Sequence, residues 1–210
     1  MFTDLISALT EFNVDKSTAE VQKLLDSGVD PFDIIENGLM QAMDFVGKNF
    51  EAGTFFLPEL LLAAKAVEAC SALIQPELTP DQQLLRGTIV VGTVAGDIHD
   101  LGKNLIISTL ESAGFRVIDL GVDVPPQTFV ETVRREKAKI LAMSALLTVT
   151  MVRMEEIIQT LRNDPELKDV KVMVGGAPVD QKYADTIGAD AYGANALEAM
   201  QKARQLAADT

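Results

Sequence analysis

From Gly87 onward the hydrophobic pattern alternates between short β-branched runs and helical repeats, and that alternation restricts the chain to very few folds. Strand-like runs fall at residues 88–94, 116–120, 140–144, 171–174 and, more weakly patterned, 191–192. Helical patterns fill the intervals at 103–113, 127–137, 151–163 and 181–187, and a last one starts at Ala196. Five strands each followed by a helix require right-handed crossovers, which predicts an α/β doubly wound parallel five-stranded sheet. At this length the natural strand order is 2-1-3-4-5. Strands one and three are then neighbours, and the loops at their carboxyl ends open the crevice where such sheets take ligands.

The first of those loops is Gly96-Asp97-Ile98-His99-Asp100-Leu101-Gly102, and it holds the only histidine in 210 residues. An aspartate two residues before a histidine can hydrogen-bond one ring nitrogen and leave the other, unprotonated, for a metal. Gly102 would allow close approach to the following helix, while Asp100 and Lys103 read as capping and solvated charges at its start. The loop after the third strand carries Ser144, Leu146, Thr148 and Thr150, and should face the first. Its alternation also fits a solvated strand end, but buried hydroxyls need partners that a polar ligand tail would supply. Gly175-Gly176-Ala177-Pro178, on the same rim, is either a plain turn or a place where a bulky ligand lies against backbone. The residues alone leave His99 divided between a ligand or catalytic role and a packing role. Met151 and Met154 read as helix packing.

Residues 1–76 read differently, as helices with short joints. Leu5, Ile6 and Leu9 give one amphipathic stretch. Asp15 or Ser17 can cap a second that carries Val21, Leu24 and Leu25 and stops at Gly28. Asp30-Pro31 starts a third, holding Ile34, Ile35, Leu39, Met43, Val46 and Phe50 before Gly53. Pro58 opens a fourth that ends ahead of Pro76. Four such helices predict an N-terminal antiparallel four-helix bundle. Phe55-Phe56-Leu57 crowds three large apolar residues into one joint, which is unusual unless something covers them. Residues 77–87, with Pro80 and several polar side chains, read as a linker and hinge, leaving 88–210 as the second domain.

Composition narrows the partners. With 31 acidic against 18 basic residues the net charge is −13, so nucleic acid and anionic membrane are poor candidates. No stretch reaches the roughly 20 apolar residues that span a bilayer, and the N-terminus does not read as a secretory signal. The lone cysteine, Cys70, sits in an apolar helical pattern, reads as core, and suits a cytoplasmic location.

Asp97-Ile98-His99-Asp100-Leu101-Gly102, then Ser144-Ala145-Leu146, then Gly175-Gly176 resemble the three-part D-x-H-x-x-G, S-x-L, G-G signature of cobalamin-binding domains. Val46-Gly47-Lys48-Asn49-Phe50-Glu51-Ala52-Gly53 and Phe56-Leu57-Pro58-Glu59-Leu60 resemble the helical cap of the same family. The resemblance covers essentially the whole chain. It runs in the order seen in corrinoid methyl-carrier proteins of anaerobic methyltransferase systems, and is similar to the cobalamin-binding segment of methionine synthase. It implies a flavodoxin-like (Rossmann-like) binding domain and a cofactor, cobalamin or a related corrinoid, whose cobalt alternates between methyl-Co(III) and Co(I). His99 would be the lower axial cobalt ligand, and Asp97 would hold its other nitrogen. Thr150 matches a hydroxyl, usually serine in the family, that extends this relay. Asp97, His99, Asp100, Gly102, Ser144, Leu146, Thr148, Thr150, Gly175 and Gly176 would line the cofactor, and Phe50, Leu57 and Leu60 would shelter its upper face.

The same resemblance implies a shuttle with no complete catalytic cycle of its own, working in one-carbon metabolism. A substrate:corrinoid methyltransferase would load the methyl group. A corrinoid:thiol or corrinoid:tetrahydrofolate methyltransferase would unload it, and a reductive activase would rescue oxidised cobalt. Two alternatives share the binding motif: a cobalamin-dependent sensor or regulator, and the binding subunit of an adenosylcobalamin mutase. The first fits less well because the chain has no Trp and no basic module. Mutase subunits generally lack the helical cap. A metal-free flavodoxin-like binding module is the third rival.

Overall fold

The computed structural model describes residues 1–77 and 87–208, which belong to two compact units, one helical and one α/β. The expected linker and hinge at 77–87 falls, but for its two ends, outside the described residues. Gln75–Glu77, where it begins, is a single 3-10 turn.

The helical unit consists of α1 (Thr3–Thr10), α2 (Val14–Asp26), α3 (Pro31–Ile34), a π-helical turn at Ile35–Leu39 that runs on into α4 (Met40–Glu51), and α5 (Leu57–Ile74). Asn13, not Asp15 or Ser17, caps α2, its side chain accepting the Lys16 N–H at 3.0 Å. An N-cap must sit outside the helix with extended backbone, and Asp15 and Ser17 are already inside it. Asp30 caps α3 as its sequence signals, accepting the Phe32 N–H at 2.8 Å with Pro31 in the first turn. Glu59 reaches back to the Phe56 N–H at 2.9 Å and so fixes the start of α5.

The π turn holds Gly38 against α1. A Cβ there would lie 2.7 Å from Leu5 Cδ2, so glycine is what allows the two segments this close. Helices α2 and α4 both pack on α5, and α1 packs on α2, α4 and α5. Leu5, Val21, Ile34, Leu39, Val67 and Cys70 are among the residues buried between them. The crowded joint resolves into two roles: Phe55 stacks edge-on with Phe12 and Phe45, at 5.4 and 6.3 Å between centroids, while Phe56 stays 65% exposed.

The α/β unit alternates as the sequence requires: β1 (Thr88–Thr93), α6 (Leu101–Ser112), β2 (Arg116–Asp119), α7 (Pro126–Glu136), β3 (Ile140–Ser144), α8 (Thr148–Met151), α9 (Arg153–Asn163), β4 (Lys171–Gly175), α10 (Gln181–Ile187), β5 (Ala191–Gly193) and α11 (Ala196–Ala208). The five strands are parallel in the order β2-β1-β3-β4-β5. All six residues of β1 are buried, as a central strand covered on both faces must be. Val90, Leu141, Met143 and Val174 face a core shared with Phe129 of α7 and Ile157 of α9. The pattern expected as one helix at 151–163 divides into α8 and α9, because the turn that follows β3 is itself helical.

Register places the chemistry at one edge. Thr93, Ser144, Gly175 and Gly193 are paired in turn across β1, β3, β4 and β5, so the last row at the carboxyl end is built from small residues. Among the described residues no helix is long and apolar enough to cross a membrane.

Cys70 is fully buried, and burial pushes its thiol up to about 12. A thiol reagent such as Ellman's should therefore react with the native protein at neutral pH far more slowly than with the urea-unfolded chain. Equal rates in the two states would contradict this packing.

Candidate functional site

The loop between β1 and α6 is organised by one carboxylate. Asp97 is 0% exposed, a position an aspartate occupies only if its oxygens are fully engaged. Its Oδ1 accepts the His99 N–H at 3.1 Å and lies 2.7 Å from His99 Nδ1. Its Oδ2 accepts the Leu146 N–H at 2.7 Å, the Leu147 N–H at 3.3 Å and the Thr150 hydroxyl at 2.8 Å. Burial on its own would push this carboxyl up. The Leu146 N–H, the His99 ring, the Thr150 hydroxyl and the His99 N–H outweigh burial and hold it well below the usual carboxylate range.

An ionised Asp97 can only accept, so the proton on the imidazole sits on Nδ1 and Nε2 carries a free lone pair. The His99 side chain is 49% exposed, and its base is anchored by the Thr93 hydroxyl, which donates to the His99 carbonyl at 3.0 Å. Thr150 is buried, on the helical turn α8, with Leu147 O also 2.9 Å from its hydroxyl. Of the two readings of Ser144 to Thr150, a loop facing the first and a solvated strand end, the loop is what forms: β3 ends at Ser144 and a helical turn aims Thr150 back at Asp97.

A second feature is a narrow cleft between the sheet and α6 and α11. Val91, Lys103, Ala142, Ser144, Gly175 and Gly193 line it. The glycines keep it open and the backbone tight. A Cβ on Gly175 would lie 2.9 Å from Gly193 O, and one on Gly176, where φ is +121°, would lie 1.8 Å from Ala145 O. Gly176 thus has no substitute that leaves the backbone in place.

Of the expected site residues, Asp97, His99, Leu146 and Thr150 are joined by hydrogen bonds, and Ser144 and Gly175 line the cleft beside them. Gly176 follows at the end of β4. Asp100 and Thr148 are exposed at the starts of α6 and α8. Phe50 and Leu60 belong to the helical unit, Phe50 half-buried and Leu60 3% exposed. Leu57 opens α5, and its side chain lies outside the described ones.

Two expectations are corrected. Gly102 lies inside α6, and a Cβ there would meet nothing within 4 Å, so no close approach by the chain explains it. Lys103 is not solvated: it is 2% exposed, with its ammonium 2.7 Å from Asp119 Oδ1 and 3.0 Å from Asn104 Oδ1. A lysine two residues into a helix normally faces water. Here the inward face of α6 lies over the sheet and β2 ends in an acid that meets the charge.

The donor set fits a particular kind of metal. Among the described residues no three His, Cys, Asp or Glu side chains group so as to hold an ion. One oriented imidazole beside an open cleft suits a metal that arrives already enclosed by other donors. Fold and site thus define an α/β protein with one oriented imidazole and a cleft at the carboxyl edge of a doubly wound parallel sheet. A family model described as B12 binding domain matches residues 87–201, and a second of the same description matches residues 1–75. This chain belongs to the B12-binding-domain family of corrinoid proteins.

Its relatives include trimethylamine corrinoid protein 1 of Methanosarcina mazei, 45% identical over 94% of this chain and 92% of that protein. A cobalamin-binding protein from Desulfitobacterium hafniense superposes with a TM-score of 0.84 at 29% identity, over 98% of each chain. A chain of the methanol:cobalamin methyltransferase complex MtaBC from Methanosarcina barkeri gives 0.80 at 29% identity, over 100% of this chain and 80% of that one.

The sign of the Asp97 shift fixes a pH dependence. Its carboxyl is lower in the folded than in the unfolded chain, so it contributes stability above the unfolded value of about 3.9 that is lost as pH falls through the folded value. Asp97→Asn places an amide N–H₂ among donors and should cost about 1–3 kcal/mol at pH 7 by urea unfolding. The gap between wild type and variant should narrow progressively below about pH 4. A gap that is constant or widens with acid would contradict the assignment.

Proposed function

We propose that this chain carries a methyl group on the cobalt of a corrinoid from a substrate-specific methyltransferase to a second methyltransferase acting on a thiol or on tetrahydrofolate. The observation that carries the reading is the hydrogen-bonded set of Thr150, Asp97 and His99, which presents Nε2 as a lone pair at the carboxyl edge of the sheet. The corrinoid, when bound, supplies a cobalt that accepts a methyl group and gives it up again.

The chain's own residues do the rest. His99 Nε2 would hold the cobalt of the corrinoid, and Asp97 selects the neutral tautomer that leaves that nitrogen unprotonated by holding the proton at Nδ1. Ser144, Leu146, Thr148, Gly175 and Gly176 border the tail of the cofactor, with Asp100 and Gly102 on the rim beside it. Residues 1–76 form one domain, whose Phe50, Leu57 and Leu60 would keep water and oxidants from the bound cofactor. Residues 77–87 are the linker, and 88–210 form the binding domain.

The methyl donor favoured by this reading is a methylated amine, because the relative at 45% identity is named for trimethylamine. The substrate methyltransferase is a docking partner, consistent with the neighbour solved in complex with one. A reductive activase returns the cobalt to its working state, and the whole operates in the cytoplasm.

Protein loaded with hydroxocobalamin, reduced, and mixed with labelled trimethylamine and its methyltransferase should acquire label on the corrinoid. His99→Ala should retain part of the corrinoid, lose the visible band of the imidazole-ligated form, and be reactivated more slowly after oxidation. Absence of label on the wild type would remove the carrier reading, and a wild-type axial-ligand spectrum in His99→Ala would remove the ligand assignment.

A further inference from the structure

Immediately after β2 the chain runs Gly121-Val122-Asp123-Val124-Pro125, and Asp123 in it is unusual on three counts. It is one of few non-glycine residues with positive φ, at +52°, a left-handed conformation that aspartate adopts only with local support. Its carboxylate Oδ1 accepts the Gly96 N–H at 2.7 Å, across 27 residues of sequence. Its own N–H donates to the Asp97 carbonyl at 2.8 Å. One residue therefore grips the 95–96 and 97–98 peptide groups, which flank the 96–97 peptide on either side, through a side-chain acceptor and a main-chain donor.

That grip is set on a rigid base. Thr93 N–H donates to Gly121 O and Val124 N–H donates to Thr93 O, each at 3.0 Å, and Val94 and Val124 form a parallel bridge. The turn after β2 is thus fixed to the end of β1, and Asp123 projects from it onto the loop. Gly96 has φ +83°, so the chain reverses there and depends on neighbours to fix where Asp97 begins. Asp97 meets His99 Nδ1 through Oδ1 at 2.7 Å, and a tilt of the 96–97 peptide would carry that oxygen away from the ring.

We infer that Asp123 is a positioning residue: by clamping the 96–97 backbone it holds the Asp97 carboxylate on His99 Nδ1 and so keeps Nε2 as the free donor. The inference deepens the carrier reading and rests on it. What Asp123 supplies is an acceptor and a left-handed backbone, not a charge. Its hydrogen bonds go to the backbone of Gly96 and Asp97 and not to the His99 ring, so it acts through the loop backbone alone.

Three variants separate these contributions. Asp123→Asn keeps an acceptor oxygen and tolerates the left-handed conformation. Asp123→Gly keeps the conformation and loses the acceptor, and Asp123→Ala loses both. The single histidine makes the readout unambiguous. In cofactor-free protein labelled with ¹⁵N-histidine, in mildly alkaline buffer where a free imidazole is neutral, the ring nitrogen shifts report the tautomer directly.

Wild type and Asp123→Asn should show the proton on Nδ1. Asp123→Gly and Asp123→Ala should show a mixture with a clear share on Nε2, and after loading with cobalamin should show a weakened imidazole-ligated band. Wild-type tautomer and band in Asp123→Gly, with the fold retained by circular dichroism, would overturn the inference, as would a shifted tautomer in Asp123→Asn, which would make the charge the cause. Failure of the wild type itself to bind cobalamin would instead overturn the carrier reading and leave the tautomer result standing.

Discussion

A carboxylate taken wholly out of water must be met by donors, and nearly everything at the carboxyl edge of this sheet follows from how Asp97 is met. Five donors converge on it: two from His99, two main-chain N–H groups at Leu146 and Leu147, and the Thr150 hydroxyl. The donors come from two crossovers nearly fifty residues apart. They can coincide only because β1 and β3 are adjacent, with Thr93 opposite Ser144. The strand order is therefore part of the site. In any other arrangement of the same elements Asp97 would keep only the two donors of His99, and a buried Oδ2 without partners would cost several kcal/mol.

The same edge separates two tasks. The β1 and β3 loops spend their polar groups on orienting one imidazole, while β3, β4 and β5 end in a row of small residues that leaves a cleft. Glycine at 175, 176 and 193 is what keeps backbone near backbone there, since added Cβ atoms would meet Gly193 O, Ala145 O and Ala199. Lys103 lines the cleft, its charge met by Asp119 at the end of β2. The helix that follows His99 is thus tied to a neighbouring strand as well as to the sheet beneath it.

Much of this was legible in the residues. A β-branched run, a polar loop with Asp97 and His99, and a helical repeat identify β1, its loop and α6, because a fully buried strand tolerates little else. Gly175-Gly176 was legible as a rim feature, though only the structure shows that Ala145 O is what excludes a side chain. Other parts were not legible, and each for a physical reason. Lys103 reads as solvated because a single sequence cannot show which face of a helix meets the sheet, and the acid that neutralises it lies 16 residues on. Ser144 to Thr150 reads as a loop facing the first, but a single sequence does not show that this loop turns helical and satisfies Thr150 and Asp97 together. Asp123 sits in ordinary turn chemistry, and its partner Gly96 is visible only once β1 and β2 pair. The π turn at Ile35–Leu39 leaves the apolar period nearly unchanged, so nothing in the sequence marks it.

The central claim is that a single protein nitrogen, Nε2 of His99, meets the cobalt. The most direct test is electron paramagnetic resonance of the protein loaded with paramagnetic cob(II)alamin, prepared once with natural-abundance and once with ¹⁵N-labelled histidine. The account predicts that each cobalt hyperfine line is split into a triplet in the first sample and a doublet in the second, because the one histidine provides the coupled nucleus. A splitting that ignores the label would mean that the cofactor's own base or another donor lies below cobalt, and would contradict the account at its root.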